Sequence, residues 1–499
     1  MIPSIILTSK EQELQHLVVV ISKLAKLPAG LFSAAEKKYI REQVETRKQE
    51  VVSFNRLDYW VYLFFIKEEK DPSKRLESCR KAGDKVAGLL NSQKAVKAIL
   101  YDAEGKSSEV LAFAEGMALG SYQFLKYKKD RENENTLKEI EIYSKALEEP
   151  DYDDASHASR VTRHDSPGHA SRVTDMNILL DAVARCRDLI NEPNSYLTAT
   201  VFSQEVEKMA LESGAHAEVL NKQKIIALKM GGLLGVNQGS HEPPTFTVME
   251  WKPAGAKNKK PIVLVGKGVV YDSGGMNLKP GSSMMNMKDD MSGAAAVATT
   301  IYAIAKAKLP VHVVGLMPAT DNRPGEKAMV SGDIITMHNG MTVEVVDTDA
   351  EGRLILADAL SYAAKFDPSL VIDLATLTGS AVRAIGKFAA AAMQSNAAKE
   401  LEQLKSSGYD VYERLAEFPM WEEYGEQLIS ELADLKNLGG PEAGMITAGK
   451  FLEKFTGYPY IHLDIAGPAF IDKRDSYRGQ GGTGYGVRLL FEFVKRGME

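Results

Sequence analysis

From Met176 onward the chain alternates short apolar runs with longer helical patterns, and this alternation limits the fold more than any other feature. Strand-like runs lie at Ile262–Val265, Val311–Met317, Thr342–Val346, Leu370–Leu374 and Ile461–Ile465. Helical stretches include Met176–Leu189, ending near Asn191-Glu192-Pro193, then Gly293–Ala307 and Leu354–Phe366. Strands joined through helices pair in parallel, and such a sheet needs cover on both faces. The expectation over 176–499 is therefore a large α/β domain with a mixed, largely parallel sheet flanked by helices. Asn339-Gly340, between two apolar runs, predicts a hairpin. Functional sites in folds of this kind gather at the carboxyl ends of strands.

Residues 1–150 repeat the alternation on a smaller scale. Apolar runs at Leu17–Ser22, Trp60–Ile66 and Ala98–Tyr101 sit among helical patterns at Ala34–Lys48 and Ser107–Phe124, which predicts a small N-terminal α/β domain. Between the two domains, 151–175 is polar and carries a direct repeat, His157–Thr162 and His169–Thr174. A linker or surface loop is expected there. Its histidines His157, His164 and His169 lack neighbouring carboxylates or thiolates at finger-like spacing, so a metal tract is the weaker reading.

Composition narrows the classes. At 499 residues, 44% hydrophobic and 26% charged, the chain can bury two or three cores. A net charge of −6 and a pI near 6.0 give no electrostatic case for nucleic acid. Cys79 and Cys186 are far apart in helix-like stretches, as expected of buried, reduced thiols in a reducing compartment. The N-terminal residues lack the basic start and long apolar run of a secretory signal. Trp60–Ile66 is too short to cross a bilayer. A soluble, cytoplasmic protein with no membrane partner is the expectation.

The chemistry concentrates in two segments. In Asp347-Thr-Asp-Ala-Glu-Gly-Arg-Leu354, the residues Asp349, Glu351 and Arg353 are spaced by two. An extended segment would project them from one face. Carboxylates that close repel unless a cation lies between them. Upstream, Lys267, Asp272, Lys279 and Asp290 follow the run Ile262–Val265 in a glycine-rich stretch. Asp272, Asp290, Asp349 and Glu351 together offer enough oxygen donors for two divalent ions sharing bridging carboxylates. A structural network of ion pairs with Lys267, Lys279 and Arg353 is the alternative. Other chemistries lack their signatures: there is no His-Glu-x-x-His, no Gly-x-Ser-x-Gly and no Walker spacing. Gly479-Gln-Gly-Gly-Thr-Gly484 matches Gly-x-Gly-x-x-Gly but lies too near the last residue for a βαβ unit, and reads as a turn before a helix at Val487–Val494.

These residues carry a resemblance. Asp347–Leu354 resembles the signature Asn-Thr-Asp-Ala-Glu-Gly-Arg-Leu of the leucyl aminopeptidase family, two-metal cytosolic exopeptidases. Val265–Pro280, Arg187–Thr198, Met230–Pro244, Asp373–Gly379, His462–Gly467 and Glu115–Tyr127 are also family-like. The likeness covers essentially all of 176–499 and part of 1–150.

The resemblance implies that Lys267, Asp272, Asp290 and Glu351 bind one metal, and that Asp272, Asp349 and Glu351 bind the other. A lysine ligand needs a neutral amine, which burial beside two dications can produce. Lys279 would stabilise the gem-diolate formed from the scissile carbonyl. Arg353 would hold a bicarbonate ion acting as general base toward a bridging water. Met287, Thr376, Gly379 and Ala466 would line the pocket for the first substrate side chain, with ordinary core packing as the alternative for each. The implied activity is removal of N-terminal residues from peptides, leucine and similar apolar residues favoured, with the free α-amino group on one metal. Zinc, manganese and cobalt all suit such donors. The implied assembly is a homohexamer.

Two features depart from the family pattern. Asp347 stands where the family usually has Asn, and 151–175 has no counterpart. Competing functions are a DNA-binding architectural or regulatory role, against which the net charge argues weakly, and a dipeptidase preference such as for cysteinyl-glycine.

Overall fold

A computed structural model of the chain describes residues 2–8, 15–144 and 169–498. They fall into two compact units, Met1–Ala184 with Lys473–Gly479, and Arg185–Asp472 with Gln480–Glu499. His157, His164 and the first copy of the repeat lie outside the described residues. The helix His169–Asn191 takes in 169–175, where a linker or surface loop is expected, as its first turns.

The first unit is built on a six-stranded sheet. Its strand order is Ser4–Leu7, Glu139–Tyr143, Lys97–Asp102, His16–Ile21, Trp60–Phe65 and Val51–Asn55. All neighbours run parallel except the last pair, which is antiparallel. Val18 to Ile21 and Val61 to Phe64 are all buried, as continuous apolar runs covered on both faces should be. The helix Pro72–Ser92 begins on Asp71, whose carboxylate accepts from the Ser73 and Lys74 N–H groups, with Pro72 at the first helical position. It packs against the helix Ser107–Gly120.

The second unit carries the larger sheet. The order is Leu415–Glu417, Ala390–Ser395, Tyr460–Asp464, Leu370–Ala375, Ile262–Gly266, Val313–Asn322, Thr245–Trp251 and His216–Leu220. A ninth strand, Gly268–Asp272, runs parallel to the far half of Val313–Asn322. The centre is parallel; antiparallel pairs flank it at 390–395 with 460–464 and at the two strands ending in Trp251 and Leu220. The helix Ser292–Lys306 is buried from Ser292 through Ala305, which its run of alanines and β-branched residues permits. Leu354, Ile355 and Leu356 of the helix Gly352–Ala363 join Val263 and Val265 in one hydrophobic core.

Thr342–Glu344 does not enter this sheet. It pairs antiparallel with Ile334–Thr336 and parallel with Leu435–Lys436 in a small sheet of its own. The Asn339-Gly340 hairpin forms: Met337 N–H donates to Met341 O at 2.8 Å, and Gly340 takes the left-handed conformation at φ 90°. Three paired residues are too few to span the main sheet; their work is to deliver the chain to Asp347. Cys79 and Cys186 are free and buried, and burial pushes both thiols up to about 12. Among the described residues no helix is long and apolar enough to cross a membrane.

Candidate metal centre

The site grows from the carboxyl ends of two strands. Ile262–Gly266 leads directly into Lys267, and Gly268–Asp272 ends on Asp272. Gly274 and Gly275, at φ +85° and +64°, then reverse the chain in a conformation L side chains rarely adopt. The reversal brings Lys279 N–H to Ser273 O at 2.9 Å and its ammonium back onto Asp272. The chain continues through a 3-10 turn, Met287–Asp289, to Asp290, just before the helix Ser292–Lys306.

The third piece differs from the extended segment that the spacing predicts. Residues 347–353 are not extended. Asp347–Ala350 is a tight turn, with Ala350 N–H donating to Asp347 O at 3.2 Å and Asp349 N–H to Asp347 Oδ1 at 2.9 Å. Glu351 is the helix N-cap with helical angles (φ −77°, ψ −37°), and Arg353 lies in the first turn of Gly352–Ala363. An aspartate that accepts from its own downstream backbone favours a turn over a strand. The side chains converge because a turn meets a helix, not because alternate residues share a strand face. Gly352 lets the Lys267 side chain pass close by: a Cβ there would lie 2.4 Å from Lys267 Cε and displace the ammonium. The extra carboxylate Asp347 lines the cavity, with Oδ1 committed to the turn.

Two asparagines that the sequence did not flag hold the pieces together. Asn437 Oδ1 accepts from Val346 N–H at 2.8 Å, its Nδ2 donates to Asp347 O at 2.7 Å, and its carbonyl accepts from Arg353 Nη1 at 2.7 Å. Asn322 Nδ2 donates to Asp272 Oδ1 at 2.9 Å and to Thr348 O at 3.0 Å. A single asparagine in a loop, as at 437, or at the last position of a strand, as at 322, carries no spacing or periodicity by which to be found.

All five expected ligands and both expected catalytic cations border one cavity of about 840 Å³. Lys267 Nζ lies 2.7 Å from Asp290 and 2.9 Å from Glu351 Oε1, and donates to Thr376 O at 3.0 Å. Lys279 Nζ lies 2.8 Å from Asp272 Oδ2 and 2.5 Å from Asp349 Oδ1. Asp272, Asp290 and Glu351 each offer an oxygen within 4.8 Å of the others. Asp349 stands outside that tight group and meets it through Lys279. The expected pocket residues Met287, Thr376, Gly379 and Ala466 border the same cavity, and Thr376 Oγ1 donates to Asp290 at 2.9 Å.

Four carboxylates thus face two lysines in a buried place. Burial would lower the Lys267 pKa, but Asp290, Glu351 and Asp272 outweigh it and hold the ammonium above its usual value. Burial first, then Asp272 and Glu351, raises the Asp349 carboxyl to about 7. Burial and Asp272 likewise raise Glu351. The carboxylates still repel despite both lysines. Glu351 Oε2 is buried without a hydrogen-bond partner. Arg353 is buried, which lowers it to about 10, and its Nε has no hydrogen-bond partner. Hard oxygen donors, surplus negative charge and an unsatisfied carboxylate oxygen fit divalent cations.

Known proteins place this arrangement. A model of the cytosol aminopeptidase family's catalytic domain matches residues 184–491, and a model of that family's N-terminal domain matches 69–131. A probable cytosol aminopeptidase of Geotalea uraniireducens (strain Rf4) is 42% identical over 402 residues, covering 80% of this chain and 78% of the relative. Among solved structures, a mutant of tomato leucine aminopeptidase superposes with a TM-score of 0.83 at 27% identity, over 99% of this chain and 96% of that one. The bottromycin maturation enzyme BotP in complex with Mn superposes with a TM-score of 0.81 at 28% identity, over 97% and 99%. The chain belongs to the cytosol aminopeptidase family and is a metal-dependent aminopeptidase.

Proposed function

We propose that this chain releases the first residue of peptides at a two-metal centre. Lys267, Asp272, Asp290 and Glu351 would hold one divalent ion, and Asp272, Asp349 and Glu351 the other. The observation that carries the proposal is the buried convergence of Asp272, Asp290 and Glu351, with Glu351 Oε2 unsatisfied. When bound, such ions supply Lewis acidity toward the scissile carbonyl and ionise water at neutral pH.

The chain's own groups do the rest. Lys267 would serve as a ligand only as the neutral amine. Lys279, which pairs with Asp272 and Asp349, would donate to the oxyanion developing on the scissile carbonyl. Arg353 is anchored through Nη1 on Asn437 O. Its remaining donors, including the unpartnered Nε, are a planar fork suited to bicarbonate, the proposed general base. Met287, Thr376, Gly379 and Ala466 form the wall against which the first side chain packs, favouring leucine and similar apolar residues. Manganese is supported by the Mn complex of BotP, and zinc and cobalt by the donor chemistry. The proposed assembly is a cytoplasmic homohexamer, to be checked by light scattering.

Metal analysis of the purified protein, paired with hydrolysis rates across aminoacyl p-nitroanilides with each metal restored, tests the reading. Two ions per chain and metal-dependent release of the first residue are expected. One ion at full activity, or rates indifferent to metal, would overturn it.

A further inference from the structure

Arg383 also borders the cavity, and nothing in the reaction above uses it. Four cations line that cavity. Lys267 and Lys279 are ion-paired, and Arg353 holds Asn437 O. Among the described residues Arg383 has no hydrogen-bond or ion-pair partner, although Asp289 and Asp347 line the same cavity. The helix Gly379–Ile385 follows the central strand Leu370–Ala375 and begins at the cavity wall. Long side chains on a helix lean toward its N-terminus, and positions four apart share a face. Arg383 obeys this rule: its guanidinium folds back over Gly379, where a Cβ would lie 3.2 Å from Nη1. The missing side chain at Gly379 therefore makes room for a charge as well as for substrate.

We propose that Arg383 binds a carboxylate of the peptide substrate and so sets which peptides are preferred. The proposal rests on the aminopeptidase reading and extends it. An unpaired guanidinium presents a planar fork of donors that matches a carboxylate, and a free amino group at the acidic cluster leaves the substrate's own negative charge to be met elsewhere in the cavity. The carboxylate comes from an acidic first side chain or from the C-terminus of a dipeptide.

Two matched pairs separate these sources: glutamyl-glycinamide against glutaminyl-glycinamide, and leucyl-glycine against leucyl-glycinamide. The readout is the ratio of kcat/KM within each pair, for the metal-loaded wild type, Arg383→Ala and Arg383→Lys. In at least one pair Arg383→Ala should lower the ratio on the order of tenfold, as loss of a charge-assisted hydrogen bond predicts. Arg383→Lys should retain part of it. The pair that responds names the source. Unchanged ratios in both pairs would overturn the proposal. Failure of the wild type to cleave the neutral amides at all would instead count against the aminopeptidase reading.

Discussion

In the first unit, Arg80 and Glu115 meet at 2.6 Å on two packed helices, with side chains 6% and 8% exposed. In the second, Lys267 faces two carboxylates and Lys279 two more. The contrast repeats at the ends of parallel strands. Asp102 ends the strand Lys97–Asp102, and its carboxylate is consumed locally by Glu104 and Lys106 N–H groups and by the Ser144 hydroxyl at 2.7 Å. Asp272 ends an equivalent strand and shares a cluster with Asp290 and Glu351. A buried charge that meets its opposite is tolerated by the fold, and removing its partner is costly. A buried surplus of one sign costs stability until an external ion compensates it, and so marks a place where the fold serves chemistry.

The hardest blow to this contrast would come from Glu351. Glu351→Ala removes a proposed bridging ligand, so bound metal per chain and hydrolysis of leucine p-nitroanilide should both fall to background. Unchanged hydrolysis would mean the surplus is structural after all. Arg353→Ala should keep its metals while turnover falls roughly a hundredfold, as loss of general-base assistance predicts. Added bicarbonate should partly restore the rate, whereas metal loss in that variant would contradict the assigned role.

The Arg80–Glu115 pair should behave oppositely. Arg80→Ala breaks the buried ion pair with Glu115, which should lower stability by about 3–5 kcal/mol. Specific activity per folded molecule should stay the same, as denaturation midpoints and assays on the folded fraction would show. A subtler test uses Asp358, which accepts from Leu233 and His338 N–H at 2.9 Å each, yet is held at about 7 by burial. Its folded value lies above the unfolded one, near 4. As pH rises through that interval the unfolded state releases its proton first, so this group's contribution falls between about 4 and 7 and is flat outside. Urea midpoints of Asp358→Asn should lack that part of the slope.

The central strands were legible because each is a continuous apolar run: Ile262–Gly266, Leu370–Ala375 and Tyr460–Asp464 fall within a residue or two of their expected bounds. Ala390–Ser395 and His216–Leu220 were not seen, since alanine-rich or polar sequences become strands only when neighbours supply the ladder. The site was legible in its residue types and less so in its shape. Asp349, Glu351 and Arg353 do border one cavity, but through a turn and a helix cap where alternation along a strand was expected.

The chain alone determined which chemistry it could carry, because carboxylates, lysines and glycines crowded between apolar runs have few other uses. Tertiary structure decided which groups meet. It chose Asn437 and Asn322 as the clamps, closed the Asp272–Asp290–Glu351 triangle, and left Arg383 unpaired at the cavity wall. Residue type is local, whereas a contact between positions 272 and 351 exists only after a sheet has brought its strand ends together.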